Sequence, residues 1–363
     1  MIKSLSAIAT LAVVTTTFAQ DLQAPACVTS TPATTAICGM APAEDLELSP
    51  DGNFLFMSTT PGVADTHHSR LRLMKLVTHE VTDLAIEQQP QPGWGEASCA
   101  FPDGGVGAHG IHLSTRSDGR LQLLAVNHHG RESVEFLEPV PEGAGWKAVW
   151  RGCVQSHDGT MLNDVSATPD GGFVATAMFT FSAMKADPRL ERLLDGRATG
   201  HLLAWHPDKG LARLPGSEAS VPNGVQVSAD GQSVWFAAWP AKAVVHYDLA
   251  QQKVVGNIAL GFMPDNLSWS SKGELFTAGV PDVQTFRQCF LSRNEFCPSV
   301  SVVALIDPLN GTARELLRAP AGELFGASSA LQVGRDVYVG AFAGDRLLLL
   351  RDTAAPDQRV ATH

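Results

Sequence analysis

The sequence predicts an all-β fold, a six-bladed β-propeller with a metal site in its central channel. Two observations predict the fold and a third predicts the site. Six times an apolar, β-prone run follows a short turn containing Gly, at Ser49-Pro50-Asp51-Gly52, Ser117-Asp118-Gly119, Pro169-Asp170-Gly171, Ala229-Asp230-Gly231, Ser271-Lys272-Gly273 and Gln332-Val333-Gly334. The turn glycines are 67, 52, 60, 42 and 61 residues apart, and periods of about 40–60 residues with several strands each mark propeller blades. Eight residues before each turn Gly stand Glu44, Ile111, Asn163, Asn223, Asp265 and Gly326, four of which carry an oxygen-donating side chain. The first strand of a propeller blade lines the axis, so these residues are expected at one mouth of one channel.

Along the chain, residues 1–19 read as a secretory signal. Lys3 gives the positive start, Ala7 to Val14 the short apolar core, and Thr17-Phe18-Ala19 the small-x-small cleavage site. That core is too short to span a bilayer, and no other segment is apolar enough to do so. Residues 20–42, rich in Thr, Ala and Pro, form a leader; 43–352 form the propeller and 353–363 a tail. Strands are expected directly after the turns at Asn53 to Thr59, Leu121 to Asn127, Gly172 to Phe179, Ser233 to Trp239, Glu274 to Gly279 and Asp336 to Phe342. Ala243 to Leu249 and Val300 to Asp307 supply further blade strands. Ala186 to Leu194 reads as a short helix inserted between blades. The segments around 189–199 and 280–298 are the loops expected to cover the mouth.

A chain of 363 residues with 44 % hydrophobic content suits one large repeat domain. Acidic residues outnumber basic ones by 37 to 26, and without a basic stripe nucleic acid has no footing as a partner. The six cysteines, Cys27, Cys38, Cys99, Cys153, Cys289 and Cys297, are an even set, which in a secreted chain points to disulfides. Short separations favour Cys27–Cys38 and Cys289–Cys297, leaving Cys99–Cys153, although sequence alone does not fix the pairing. None has the CxxC spacing of a structural zinc site. Asn310-Gly311-Thr312 is a glycosylation sequon in an expected turn; Asn266-Leu267-Ser268 also matches, but Asn266 is expected to be buried.

A ring of Glu44, Asn163, Asn223 and Asp265 suits a hard cation. Calcium takes about six to eight oxygens in irregular geometry, amide carbonyls included, whereas zinc asks for His or Cys. The competing explanation is that Asn and Asp at strand starts merely shape turns; it accounts for one or two of these residues but not for the same offset in four of six repeats. His109-Gly110-Ile111-His112 begins the second repeat's inner strand, and Asn127-His128-His129 ends its partner. A hairpin brings those ends together, so His109 and His128 are a candidate general-base pair. Residue types alone slightly favour a hydrogen-bonded structural pair. His109 and His112, three apart on a strand, are not expected to share one metal. His67-His68 falls in an expected solvated loop.

The stretches Glu44-Asp45-Leu46-Glu47, His109-Gly110-Ile111, Leu124-Ala125-Val126-Asn127-His128, Leu162-Asn163-Asp164, Asn223-Gly224-Val225 and Asp265-Asn266-Leu267-Ser268 occur in the order seen in the paraoxonase (arylesterase/lactonase) family, which the chain resembles over about residues 43–350. The six-bladed calcium propeller is shared more loosely with gluconolactonases and regucalcin. The resemblance implies two calcium ions: a catalytic one held by Glu44, Asn163, Asn223, Asp265 and Asn266, and a deeper, structural one held by Asp45, Asp164 and the backbone carbonyl of Ile111. It also implies that His109 and His128 form a catalytic dyad, and that the activity is hydrolysis of lactones and aryl esters. The small-molecule lactone or ester is then the expected partner.

Three features depart from that family. Animal paraoxonases join an early Cys to one near the C-terminus, and this chain has no Cys after Cys297, so its ring must close by strand pairing. The family's retained hydrophobic N-terminus reads here as a cleavable signal. Thr176-Ala177-Met178-Phe179 lacks the His that the family often places there. Two other functions compete: a strictosidine-synthase-like lyase, which needs no oxygen cage, and a non-enzymatic binding propeller pinned by calcium.

Overall fold

In the computed structural model, which describes residues 26–29, 31–61, 68–157 and 159–352, each of the six Gly turns joins two antiparallel strands. The expected signal over 1–19 and the tail over 353–363 lie outside the described residues. The first turn shows the local logic. Gly52 takes a left-handed φ of 68° and donates its N–H to the Ser49 carbonyl at 2.9 Å, while Ser49 Oγ accepts from Phe54 N. A residue with a Cβ pays steric strain in that conformation.

Each hairpin opens a blade. Blade 1 consists of Ala43–Leu48, Phe54–Thr59, Arg70–Lys75 and Val81–Asp83, and blade 2 of Ala108–Thr115, Leu121–Asn127, Ser133–Glu142 and Gly145–Gln155, with Ile86–Gln88 added in parallel outside. Blade 3 is Thr160–Ala167, Phe173–Thr180, His201–His206 and Gly210–Arg213; blade 4 is Pro222–Val227, Ser233–Ala238, Ala243–Asp248 and Lys253–Ala259. Blade 5 is Met263–Trp269, Leu275–Val280, Ser301–Asp307 and Thr312–Ala319. Blade 6 takes three strands from the end of the chain, Phe325–Val333, Asp336–Ala343 and Arg346–Leu350, and its outermost strand, Thr34–Cys38, from the beginning. Thr34 faces Leu350 and Cys38 faces Arg346 in antiparallel register. Strand pairing therefore closes the ring, and a strand from the segment read as a leader supplies the closure.

The six strand runs anticipated after the turns are present within a residue or two at each end. The core is a set of blade-to-blade seams. Phe54, Phe56 and Leu73 of blade 1 pack on Ile111, Leu123 and Trp150 of blade 2, and Leu46, Leu55 and Met57 pack on Tyr338, Leu347 and Leu349 across the closure. Three disulfides form, Cys27–Cys38, Cys99–Cys153 and Cys289–Cys297, which suits an oxidising compartment. Asn310 is exposed in its turn, whereas Asn266 is buried. Among the described residues no helix is long and apolar enough to cross a membrane.

Two helices stand over one mouth. The helix expected over Ala186 to Leu194 is displaced: α1 spans Phe181–Ala186, capped by Thr180 Oγ1 accepting from Ala183 N. Pro188 disfavours the helical region at Asp187, and the Asp187 carboxylate instead collects the N–H groups of Glu191, Arg192 and Leu193 in a turn. The second helix, α2 at Val283–Ser292, lies in the expected covering loop and was not anticipated as a helix. Asp282 caps it by accepting from Gln284 N and Thr285 N.

Every inner strand carries a β-bulge, two of its residues facing one on the second strand. The bulged pairs are Glu44-Asp45, His109-Gly110, Asn163-Asp164, Asn223-Gly224, Asp265-Asn266 and Ser328-Ser329. A bulge re-aims side chains, and the bulge sets which residues are equivalent. Eight residues separate its first member from the turn Gly in four blades, but ten do in blade 2 and six in blade 6. The counterparts of Glu44 in those two blades are therefore His109 and Ser328, rather than Ile111 and Gly326. The missing side chain at Gly326 leaves no opening in the channel: its φ is 82°, and the Phe342 ring fills the place where a Cβ would stand.

Candidate active site and metal centre

The bulges of blades 1, 3, 4 and 5 bring Glu44, Asn163, Asn223, Asp265 and Asn266 together in the channel, each between 2 % and 7 % exposed. Their hydrogen bonds all point one way. Asn266 Nδ2 donates to the Glu44 carbonyl at 3.1 Å and to Glu44 Oε1 at 2.8 Å. Asn163 Nδ2 donates to the sulfur of Met178 at 3.4 Å, and Asn223 hydrogen-bonds the Asp265 carboxylate. With the amide nitrogens engaged, the oxygens are left over. Glu44 Oε2, Asn163 Oδ1, Asn223 Oδ1 and Asn266 Oδ1 are all buried without a hydrogen-bond partner. A buried orphan acceptor costs about 1–3 kcal/mol, and four in one ring need a common explanation.

A hard cation fits that donor set. The four atoms are oxygens, a fifth ligand is available in Asp265, and oxygen-rich irregular cages suit calcium. Among the described residues no three His, Cys, Asp or Glu side chains converge as a metal group, which leaves zinc-type coordination without support. Burial dominates the electrostatics of the ring's carboxylates. Burial, then the Asp265 carboxylate, pushes Glu44 up to about 8. Burial likewise holds Asp265 well above the usual carboxylate range.

The expected deeper group behaves differently. Asp45 Oδ1 accepts from Leu46 N at 2.9 Å and Oδ2 from Ile111 N at 2.8 Å. Asp164 Oδ1 accepts from Val165 N and Oδ2 from Val225 N, both at 2.7 Å. Each carboxylate thus ties its own blade to the next, and neither has an orphan oxygen. Both are held well above the ordinary range, first by burial and then by Glu44 on Asp45 and by Asp45 on Asp164.

His109 and His128 do meet. His109 Nδ1 lies 2.9 Å from His128 Nε2, and His128 Nδ1 lies 2.9 and 3.0 Å from the two oxygens of Glu132. On its other side His109 Nε2 is 3.7 Å from Glu44 Oε1, so the pair reaches the oxygen ring. Burial, then His128, keeps His109 well below the usual imidazole range and therefore neutral at pH 7. His112 faces the opposite mouth, beside Ser114 and Arg116.

Sequence reasoning missed two residues here. Glu132, four residues after His128, lies in a loop where no spacing rule marks it. Met178 stands in the segment Thr176-Ala177-Met178-Phe179, which carries no His, and its acceptor-only sulfur turns the Asn163 amide so that oxygen faces the ring. Glu44, Asn163, Asn223 and Asp265 of the ring floor a cavity with His109, about 240 Å³ in volume, whose walls are Met161, Met178, Leu193, Trp239, Phe286 and Phe342, among other apolar side chains from α1, α2 and the blades.

Residues 96–284, just over half the chain, match the family model described as the SMP-30/gluconolactonase/LRE-like region. Strictosidine synthase-like 7 of Arabidopsis thaliana is 22 % identical over 240 residues, 65 % of this chain. The chain spans only 55 % of that relative's length. Among solved structures, a luciferin-regenerating enzyme superposes with a TM-score of 0.53 at 14 % identity, covering 87 % of this chain and 93 % of that one. A putative gluconolactonase gives 0.50 at 16 % identity, covering 88 % and 92 %. Regucalcin of Agrobacterium tumefaciens, a calcium-binding protein, gives 0.50 at 14 %, covering 86 % and 91 %. At such identities the structural likeness establishes the six-bladed fold.

Proposed function

Because the chain belongs to the SMP-30/gluconolactonase/LRE-like family, we propose that it is a secreted, calcium-dependent hydrolase of lactones and aryl esters. The observation that carries the proposal is the set of four orphaned oxygens in the ring, three of them on residues that floor an apolar cavity together with His109. Glu44, Asn163, Asn223, Asp265 and Asn266 would hold the catalytic calcium. A cation held there supplies Lewis-acid polarisation of a substrate carbonyl and charge for the developing oxyanion.

The chain's own residues do the rest. His128 orients the His109 ring, leaving His109 Nε2 at the cavity floor to accept a proton from water. The hydroxide so formed attacks the ester carbon, the ring C–O bond of the lactone breaks, and His109 returns the proton to the leaving oxygen. The apolar walls exclude bulk water, which strengthens each of these electrostatic contacts. A second, deeper calcium on Asp45, Asp164 and the Ile111 carbonyl would satisfy no unmet bond, and we assign it no chemical role. The Arabidopsis relative keeps the lyase alternative in view, but such a lyase has no use for orphaned oxygens.

The test is a panel of γ- and δ-lactones and aryl esters, assayed with and without a chelator, on wild type and His109→Gln. We expect activity only with calcium and a loss of about 10²–10⁴ in kcat for the variant. Activity that survives complete calcium removal sinks the metal step, and full activity in the variant removes the base.

A further inference from the structure

We propose that Glu132 is a positioning residue that dictates where the protons sit on the histidine pair, and so makes His109 Nε2 the basic nitrogen. The inference rests on the hydrolase reading, since it concerns the base of the same site. It follows from donor and acceptor counts along three groups. A carboxylate only accepts hydrogen bonds, and both oxygens of Glu132 lie within 3.0 Å of His128 Nδ1. The proton of a neutral His128 therefore sits on Nδ1, and its Nε2 is an acceptor. The 2.9 Å contact from that Nε2 to His109 Nδ1 then requires His109 to donate from Nδ1. His109 is left with its lone pair on Nε2, the nitrogen that faces Glu44.

Glu132 also fixes itself. Its Oε2 accepts from Leu162 N at 2.8 Å, and Leu162 is the neighbour of Asn163 in the oxygen ring. One buried carboxylate thus pins the relay to the strand that supplies a candidate ligand. In Glu132→Gln, Leu162 N–H claims the amide oxygen and the NH₂ group takes the other position, 2.9 Å from His128 Nδ1. A donor now faces a donor unless the relay reverses. Reversal puts the His109 proton on Nε2, where no lone pair is left to accept from water. Exchanging the carboxylate behind a catalytic His for an amide costs on the order of 10⁴ in kcat in a Ser-His-Asp triad, by the same tautomer reversal.

The experiment is ¹⁵N NMR of the imidazoles in the full chain, with kinetics alongside. In wild type we expect His128 and His109 both protonated at Nδ1 and unprotonated at Nε2. In Glu132→Gln both protons move to Nε2, and kcat falls about 10³–10⁴-fold while the calcium-dependent melting temperature holds. Glu132→Asp restores the wild-type ¹⁵N pattern and part of the rate. Wild-type His128 protonated at Nε2 overturns the proposal without any variant. So does a Glu132→Gln protein that loses activity with its ¹⁵N pattern unchanged. If wild type hydrolyses no lactone or ester, the hydrolase reading fails, and the ¹⁵N pattern still decides the role of Glu132.

Discussion

Removal of the cation is the perturbation whose size the site sets most directly. Four buried oxygens lack partners in the ring, and at about 1 kcal/mol each, the low end for an unmet buried acceptor, they leave about 4 kcal/mol for a cation to recover. A ligand present at about 1,000 times its dissociation constant delivers that stabilisation. Unfolding entropy is about 2 cal/mol/K per residue, so for a chain of 363 residues calcium should raise the melting temperature by about 5 °C. The effect has a defined pH dependence. In the cation-free protein Glu44 is pushed from 4.5 up to about 8, so between those values the folded state binds a proton that the unfolded chain does not. Stability of the cation-free protein therefore falls as pH rises through that window, and protons compete with calcium at its lower end. Scanning calorimetry from pH 5 to 8, with calcium and with a chelator, should show the gap widening as pH rises. A gap that is absent at pH 7.5, or widest at pH 5, would falsify the ring as a cation site.

Two further outcomes follow from the walls and the seams. Each methylene buried in the apolar cavity is worth about 0.8 kcal/mol, roughly fourfold, so kcat/KM should climb with alkyl length across a δ-lactone series and be poor for a polyhydroxylated sugar lactone; a flat series would count against the cavity as the substrate site. Gly110→Ala would drive a Cβ into the Asp164 side chain and backbone of the next blade and should destabilise by about 1–3 kcal/mol in urea unfolding. Gly261→Ala, with open space around it, is the control and should be near neutral.

The fold was legible because a propeller is written locally. Each inner hairpin is bounded by its own Gly turn and apolar run, so six signals were countable without knowing any long-range contact. The candidate ring was legible in blades 1, 3, 4 and 5 because bulge and turn are equally spaced there. It slipped in blades 2 and 6, where the distance from bulge to turn is two residues longer or shorter. The bulge depends on pairing with the second strand, and no residue pattern announced it. The closing strand was invisible for a similar reason: Thr34–Cys38 pairs with Arg346–Leu350 from the far end of the chain. Glu132 escaped because its reach to His128 is set by a loop, and helix α2 because three amphipathic turns in a β-rich sequence are outweighed by their surroundings.

The second members of the bulged pairs explain how a repeated scaffold carries an unrepeated site. Around the ring they run Asp45, Gly110, Asp164, Gly224, Asn266 and Ser329. The first four alternate. Asp45 reaches past Gly110 to Ile111 N, and Asp164 reaches past Gly224 to Val225 N. Each glycine sits where its blade crowds the one that follows: a Cβ on Gly110 would strike Asp164, and one on Gly224 would strike the backbone of Asn266. Blade 5 breaks the alternation. An Asp there would repeat the staple to blade 6; Asn266 instead turns its NH₂ to Glu44 of blade 1, while Ser328 of blade 6 donates to the Glu44 carbonyl at 2.7 Å. Replacing acid by amide at this one position removes a buried negative charge, fixes Glu44 from two sides, and leaves Asn266 Oδ1 as an orphaned oxygen of the ring. The asymmetry that builds the candidate site is thus concentrated where the last two blades meet the first.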